Sequence, residues 1–438
     1  MTRIPALVFA GACIGLLLAG CAGRDASVAA PAPFRGEGAP LIDPARGAHD
    51  AGSIAAARGA NDFAFRLGAA LLQDAGHENF VVSPYSVWLP LAALLNATRE
   101  QYRPELLRAL GAQGLGAGDV NRAASRMLFD LTNERGRRQG WDGAFRENPL
   151  RIANAVFVDH GFPLRAQFAQ VFMDFYRGES MSVDFRDPDT VAAVNRWASD
   201  NTNGRINRVV QEFDPDTVAA IANAIYFSDS WRDGFCASQT ERGAFYAHDG
   251  ESHAYFMRLE RNDFSYFEDA HVQAVNLPFA TGGGMKIILP RDGDAAGFLS
   301  AMTAEKFEGM QRDSVLASGR LLLPRFSIEN TIDSLKPALV ALGVPLFDEQ
   351  AAPLTGGLVY DGGLRVWLSQ AVQVAMIEVD EEGATAAAVT VLVAVAEAAL
   401  EPVTTFEMIC DRPFAFVLHR QTNDGGRQVL FTGVVNRP

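Results

Sequence analysis

A fold mixing helices and strands in a large globular body is predicted by three observations. Apolar residues at mostly helical spacing, Phe63, Phe65, Leu67, Leu71 and Leu72, and later the stretch Leu335 to Leu342, mark helices. Between them lie strand-like runs, Ile152 to Val158, Ile221 to Phe227 and Met285 to Pro290, with Gly282-Gly283-Gly284 reading as a hairpin turn. The chain has 438 residues, 48% of them hydrophobic, enough to bury a sizeable core in one large mixed domain or in more than one.

The N-terminal residues are expected to lie outside that body. Arg3 supplies a positive start, and Ile4 to Gly20 is an almost uninterrupted run of apolar and small residues, short for a transmembrane helix, so 1–20 reads as a signal peptide. It ends in Leu18-Ala19-Gly20-Cys21, which resembles the bacterial lipobox. Cys21 would then become a lipid-modified N-terminus held at the membrane; plain secretion or an uncleaved anchor is the alternative. Ala22 and Gly23 lack the aspartate associated with inner-membrane retention, which points to an outer-membrane lipoprotein of the cell envelope, facing the periplasm or the cell surface, or to an extracellular protein. Residues 21–52, rich in Ala, Pro, Gly and Arg, read as a flexible tether, and 53–438 as a single domain.

The net charge of -14, with no basic cluster to offset it, argues against nucleic-acid binding. The seven histidines are scattered, without metal-ligand spacing and without a nucleophile motif, so neither a metal, a cofactor nor an enzyme is expected. Ser83 and Ser86, in Asn79-Phe80-Val81-Val82-Ser83-Pro84-Tyr85-Ser86, lack a Gly-x-Ser-x-Gly context; Ser83 before Pro84 reads as a helix start whose hydroxyl caps free amides. Pro90, six residues on, would kink or shorten that helix.

The stretch that organises the chain begins at Glu381-Glu382-Gly383-Ala384-Thr385-Ala386-Ala387-Ala388 and continues through uncharged small and β-branched residues to Glu397. On composition it could be a core strand or a helix; as an exposed loop it would be long, apolar and able to join a sheet. The segment resembles the hinge of the serpin reactive-centre loop, and Arg412-Pro413-Phe414 resembles the Arg/Lys-Pro-Phe that follows it. Further fragments match in order: Asn79 to Ser86; Ile152-Ala153-Asn154-Ala155-Val156-Phe157; Val194-Asn195-Arg196-Trp197 with Thr202-Asn203-Gly204-Arg205-Ile206; Asn223-Ala224-Ile225-Tyr226-Phe227 through Trp231 to Phe235; and Leu323-Pro324-Arg325-Phe326-Ser327-Ile328-Glu329.

The resemblance implies an α+β serpin-like fold: a large central mixed β-sheet A, smaller sheets B and C, surrounding helices, and a reactive-centre loop at about 383–405. It implies a monomeric inhibitor that a target serine protease attacks as a suicide substrate, forming a covalent acyl-enzyme before the cut loop inserts into the central sheet. A non-inhibitory surface lipoprotein using the same body for binding is the alternative. By matching positions, Ser83, Ser86 and Asn223 belong to a shutter beneath the sheet and Trp231 to the breach where insertion begins, although core packing explains Trp231 equally well. Arg325 would pair with Glu381, either to hold the loop base or as a surface pair of little consequence. Gln373 stands where the family commonly carries a histidine and cannot titrate near neutral pH. Family spacing puts the reactive bond between Glu397 and Ala398, suiting glutamyl-directed proteases. The neighbours Ala396, Ala399 and Leu400 suit elastase-like ones. Of the four cysteines, Cys236 and Cys410 would both come near sheet C, as a disulfide or as two free thiols.

Overall fold

The computed structural model describes residues 8–21, 50–73, 75–132, 137–139, 145–147, 150–359, 365–381, 404–422 and 426–438. Among the described residues the helices are α1 (Ala51–Leu72), α2 (Pro84–Leu94), α3 (Arg103–Ala109), α4 (Ala117–Thr132), α5 (Ala166–Tyr176), α6 (Pro188–Asn201), α7 (Ala295–Ser300), α8 (Ala304–Arg312) and α9 (Lys336–Ala341). The strands are β1 (Val8–Cys21), β2 (Phe80–Val82), β3 (Arg137–Gln139), β4 (Phe145–Glu147), β5 (Leu150–Asp159), β6 (Gly178–Val183), β7 (Thr217–Asp229), β8 (Glu241–Ala247) and β9 (Gly250–Glu268). They continue as β10 (Val272–Pro278), β11 (Gly284–Pro290), β12 (Val315–Pro324), β13 (Phe326–Ile332), β14 (Arg365–Val379), β15 (Thr404–Ile409), β16 (Phe414–Gln421) and β17 (Arg427–Val435).

Helix starts follow local chemistry. Asp50 caps α1 by accepting from the Ser53 amide at 2.6 Å, so the body begins two residues earlier than the sequence suggested. Asp187, followed by Pro188, caps α6 in the same way. Ser83 occupies the N-cap position of α2 but caps nothing, because its hydroxyl donates instead to the Leu430 carbonyl at 2.9 Å. Pro90 does not end α2, which runs on to Leu94 with every residue buried. Burial of a largely apolar helix between sheets outweighs the one ladder bond that proline removes.

The central sheet has the order β13-β14-β1-β7-β5-β6. β7 is buried at every position but one, as its unbroken apolar run requires when helices and a second sheet cover its two faces. The second ladder runs β15-β12-β9-β10-β11-β16-β17-β2, with β8 beside β9. Its two halves are the expected sheets B and C, and the 19-residue β9 passes through both and joins them. Gly282 and Gly283 turn β10 into β11 with φ of 101° and 81°, values that favour glycine.

One placement differs from the sequence expectation. The leader segment, predicted to stand outside the fold, is the strand β1 in the middle of the central sheet, antiparallel to both neighbours. Its register runs from Val8 opposite Asp229 and Phe9 opposite Glu378 to Ala19 opposite Thr217 and Cys21 opposite Arg365. The physical reason is a slot of matching character. β7 and β14 are each antiparallel to β1 and therefore parallel to one another, so each offers it a full row of backbone donors and acceptors. An uncharged fourteen-residue segment satisfies both rows without bringing a charge into the sheet.

Candidate functional site at the opening of the central sheet

β14 ends at Val379, and the chain leaves the sheet through Asp380 and Glu381. Three groups hold that exit. The Trp231 indole N–H, two residues beyond β7, donates to the Asp380 carbonyl at 3.0 Å. Its ring is buried, stacks on Phe279 at 5.1 Å between centroids and meets Phe235 edge-on. The Arg325 guanidinium, at the corner between β12 and β13, forks onto Glu381: Nε reaches Oε1 at 2.9 Å and Oε2 at 2.7 Å, and Nη2 reaches Oε1 at 2.7 Å. Thr240 donates its hydroxyl to the same carboxylate.

Glu381 is a loop-base carboxylate with a side chain only 4% exposed, whereas Arg325 is half in water and lies over the Tyr255 ring at 5.8 Å. Burial alone would push the Glu381 pKa up; the hydrogen bonds from Arg325 and Thr240 outweigh it and hold the carboxyl below its ordinary value. The paired carboxylate in turn raises the pKa of Arg325.

A second constellation lies halfway down the slot. Gln373 of β14 is fully buried and reads the start of α2 with both ends of its amide. Its Oε1 accepts from the Ser83 amide at 3.1 Å, and its Nε2 donates to the Ser83 carbonyl at 2.9 Å and the Ser86 hydroxyl at 2.7 Å. Asn223 of β7 donates to Asn154 Oδ1 at 2.8 Å, tying β7 to β5. Its own buried Oδ1 has no partner among the described residues. Asn223 and Gln373 face each other across one residue of β1: both register with Ile14.

These are serpin features in serpin order. The profile of the family described as serpin, serine protease inhibitor, matches residues 58–438. The chain belongs to the serpin family. Iripin-2 of Ixodes ricinus is 31% identical over 385 residues, covering 86% of this chain and 92% of that protein. Serine protease inhibitor 42Dd of Drosophila melanogaster is 30% identical over 368 residues, covering 83% of this chain and 92% of the relative. Among solved structures, the thermophilic serpin tengpin in its native state is similar at a TM-score of 0.73 and 25% identity, over 87% of this chain and 94% of that one. Arabidopsis AtSerpin1 in its native stressed conformation is similar at 0.71 and 23%, over 89% and 100%. Membership places this serpin with inhibitors of serine proteases in general.

Of the residues singled out from the sequence, the serpin fold brings Trp231, Glu381 and Arg325 together at the exit, and Ser83, Ser86 and Gln373 together beneath the slot, with Asn223 across from Gln373. Glu382, Gly383, Ala384, Thr385, Ala386, Ala387 and Ala388, and the reactive-bond candidates Ala396, Glu397, Ala398, Ala399 and Leu400, lie outside the described residues. Thr404 and Thr405, counted within the loop at its C-terminal end, begin β15 instead. Cys236 and Cys410 are two separate thiols, one of the two alternatives left open by the sequence. Cys236 is exposed before a short helical turn, whereas Cys410 is buried, its amide held by the Leu322 carbonyl at 2.9 Å. Sequence reasoning missed the ion pair between Asp229 and Arg420, 3.2 Å apart and both buried, with Arg420 also donating to Thr281 and Gly282. It anchors the end of β7 to β16 and to the β10–β11 turn, just behind Trp231.

Proposed function

We propose that this serpin traps elastase-like or glutamyl-directed serine proteases as suicide substrates. The observation that carries the reading is the strand-wide path between β7 and β14, which opens where Trp231 and Glu381 hold the loop base. Ala384 to Glu397 is fourteen residues, the length of the strand that the slot accepts.

In this reading the protease serine attacks the Glu397 carbonyl, the Glu397–Ala398 amide bond breaks, and its nitrogen leaves protonated on Ala398. Glu397 is then an ester of the protease. The remainder, from Ala398 onward, stays with the body through β15, β16 and β17. The new free end returns along β14 as an added strand, gaining two rows of ladder bonds. A fourteen-residue strand spans ~46 Å, so the esterified protease is drawn across the sheet before water can release it. Distortion of its oxyanion hole, worth on the order of 3 kcal/mol or more, suffices to stop deacylation.

We further propose that the working form is the chain processed at Cys21, lipid-anchored in the outer membrane, since the lipobox-like Leu18-Ala19-Gly20-Cys21 closes the leader. Processing would also clear β1 from the slot. The test is a panel of serine proteases incubated with the processed chain and run on a denaturing gel, with N-terminal sequencing of the released fragment. A covalent adduct with an elastase-like or glutamyl-directed enzyme, and a fragment starting between Val395 and Leu400, is the expected result. Cleavage without any adduct would overturn the reading.

A further inference from the structure

The leader segment and the central sheet compete for the same function-critical space. β1 fills the path between β7 and β14 from the breach, with Val8 opposite Asp229, to the far end, with Cys21 opposite Arg365. It enters at the end where Trp231 and Glu381 sit and runs away from it, antiparallel to β14. That is also the direction in which a segment leaving β14 at Val379 would return.

We propose that Val8–Cys21 is an internal plug that keeps the unprocessed chain from inhibiting, so that inhibition is switched on by removal of the leader. This rests on the insertion mechanism above and adds its control. Two consequences follow from the ladder. With both inner edges of the slot already paired, a cut loop has no free backbone groups to join, and the attached protease completes deacylation. Gly20 and Cys21 are themselves paired with Val366 and Arg365, so the processing bond is inside a sheet. A peptidase needs an extended, unpaired segment, and a chain that folds before it is processed is therefore locked in the silent form.

The same residues serve both partners because both ask for the same thing. Val8 to Cys21 carries no charge and no proline, which suits an apolar leader in a membrane and equally a strand buried in mid-sheet. Whichever environment receives the segment first decides the state of the inhibitor.

The experiment compares three proteins: the full chain purified without export, the chain beginning at Cys21, and the full chain carrying Ile14→Asp, which puts a charge where β1 passes between Asn223 and Gln373. The readouts are the melting midpoint, hydrogen exchange of the β7 and β14 amides, and adduct formation with a protease that cleaves the loop. The plugged full chain should melt higher, protect both strands, and form adduct at least about tenfold less, a difference of ~1.4 kcal/mol in partition. Ile14→Asp should behave like the processed chain, and a synthetic Val8–Cys21 peptide added to the processed chain should restore the plugged behaviour. Equal melting and equal exchange in the full and processed chains would overturn the plug, whether or not they trap protease. If the midpoints and exchange differ but no form traps, the plug stands and the inhibitor reading falls.

Discussion

Arg325 grips Glu381 through three hydrogen bonds of 2.7 to 2.9 Å while its own side chain stays half in water. The asymmetry matters: removing the arginine leaves a carboxylate only 4% exposed without its countercharge, whereas removing the carboxylate returns an accessible guanidinium to solvent. Arg325→Ala should therefore destabilise by about 1–2 kcal/mol, discounted for the exposure of the arginine, and Glu381→Gln by less. Because the Glu381 pKa is lower folded than unfolded, its contribution is complete above the ordinary value of 4.5 and is lost as the pH falls through the folded pKa. Urea unfolding of the wild type and Glu381→Gln from pH 3 to 7 checks this: the stability difference between them should shrink at the acid end.

Gln373 replaces a commonly titratable residue with a neutral one that satisfies three groups of α2 at once. Gln373→Ala should cost about 2–4 kcal/mol, since the Ser83 amide is left without its partner in a fully buried site. Gln373→His should fold at neutral pH, with one ring nitrogen accepting from Ser83 and the other donating. Protonation removes the acceptor, and burial lowers the folded pKa below the unfolded 6.5 or so, so stability should fall as the pH drops from about 6.5. Thermal melting of both proteins between pH 5 and 8 distinguishes them, the wild type showing no such step from this position.

Lys286 is fully buried in β11, and among the described residues its ammonium donates to the Met310 carbonyl at 3.4 Å and the Ser314 hydroxyl at 3.3 Å. Burial, aided by Arg427, brings its pKa down to about 7. A lysine whose folded pKa lies below its unfolded one binds more protons when unfolded, so stability should rise with pH between about 7 and the ordinary 10.5. Lys286→Met should stabilise the protein at pH 7 by about 1–3 kcal/mol and flatten that rise. Unfolding in urea at pH 7 and pH 9 measures both effects; a destabilised methionine variant would mean the ammonium is better solvated than its burial indicates.

The exit from β14 was legible because its residues sit in ordered local patterns: Trp231 and Phe235 after the β7 run, Arg325 in Leu323-Pro324-Arg325-Phe326, Glu381 before glycine. Asp229 and Arg420 were not, because they meet across 191 positions and neither stands in a pattern that requires the other. The place of the leader in the sheet was not legible for a different reason. Periodicity reports how much apolar surface a segment must bury and not where, and a run of small and apolar residues fits lipid or sheet alike. Pro90 shows the same limit from the other side, a local rule overridden by complete burial of α2.

The path of β1 also sets the register expected of the inserting loop. If Ala384 takes the place of Val8, Thr390 takes the place of Ile14, the residue between Asn223 and Gln373. Residues in register across neighbouring strands point to the same face, and Gln373 points to α2 beneath the sheet, so Ala384, Ala386, Ala388, Thr390, Leu392 and Ala394 would face the core. The Thr390 hydroxyl would then arrive beside the buried Asn223 Oδ1, which lacks a donor among the described residues. Thr390→Val should still insert and trap, but the cleaved protein should lose about 1 kcal/mol of its gain in stability over the intact one. Thr390→Asp would bring a charge to that buried position, so the loop should be cut at the usual rate while adduct disappears and turnover takes its place. Melting of cleaved and intact protein, together with the ratio of adduct to cleaved inhibitor, reads both variants. Full trapping by Thr390→Asp would mean that the loop enters in another register.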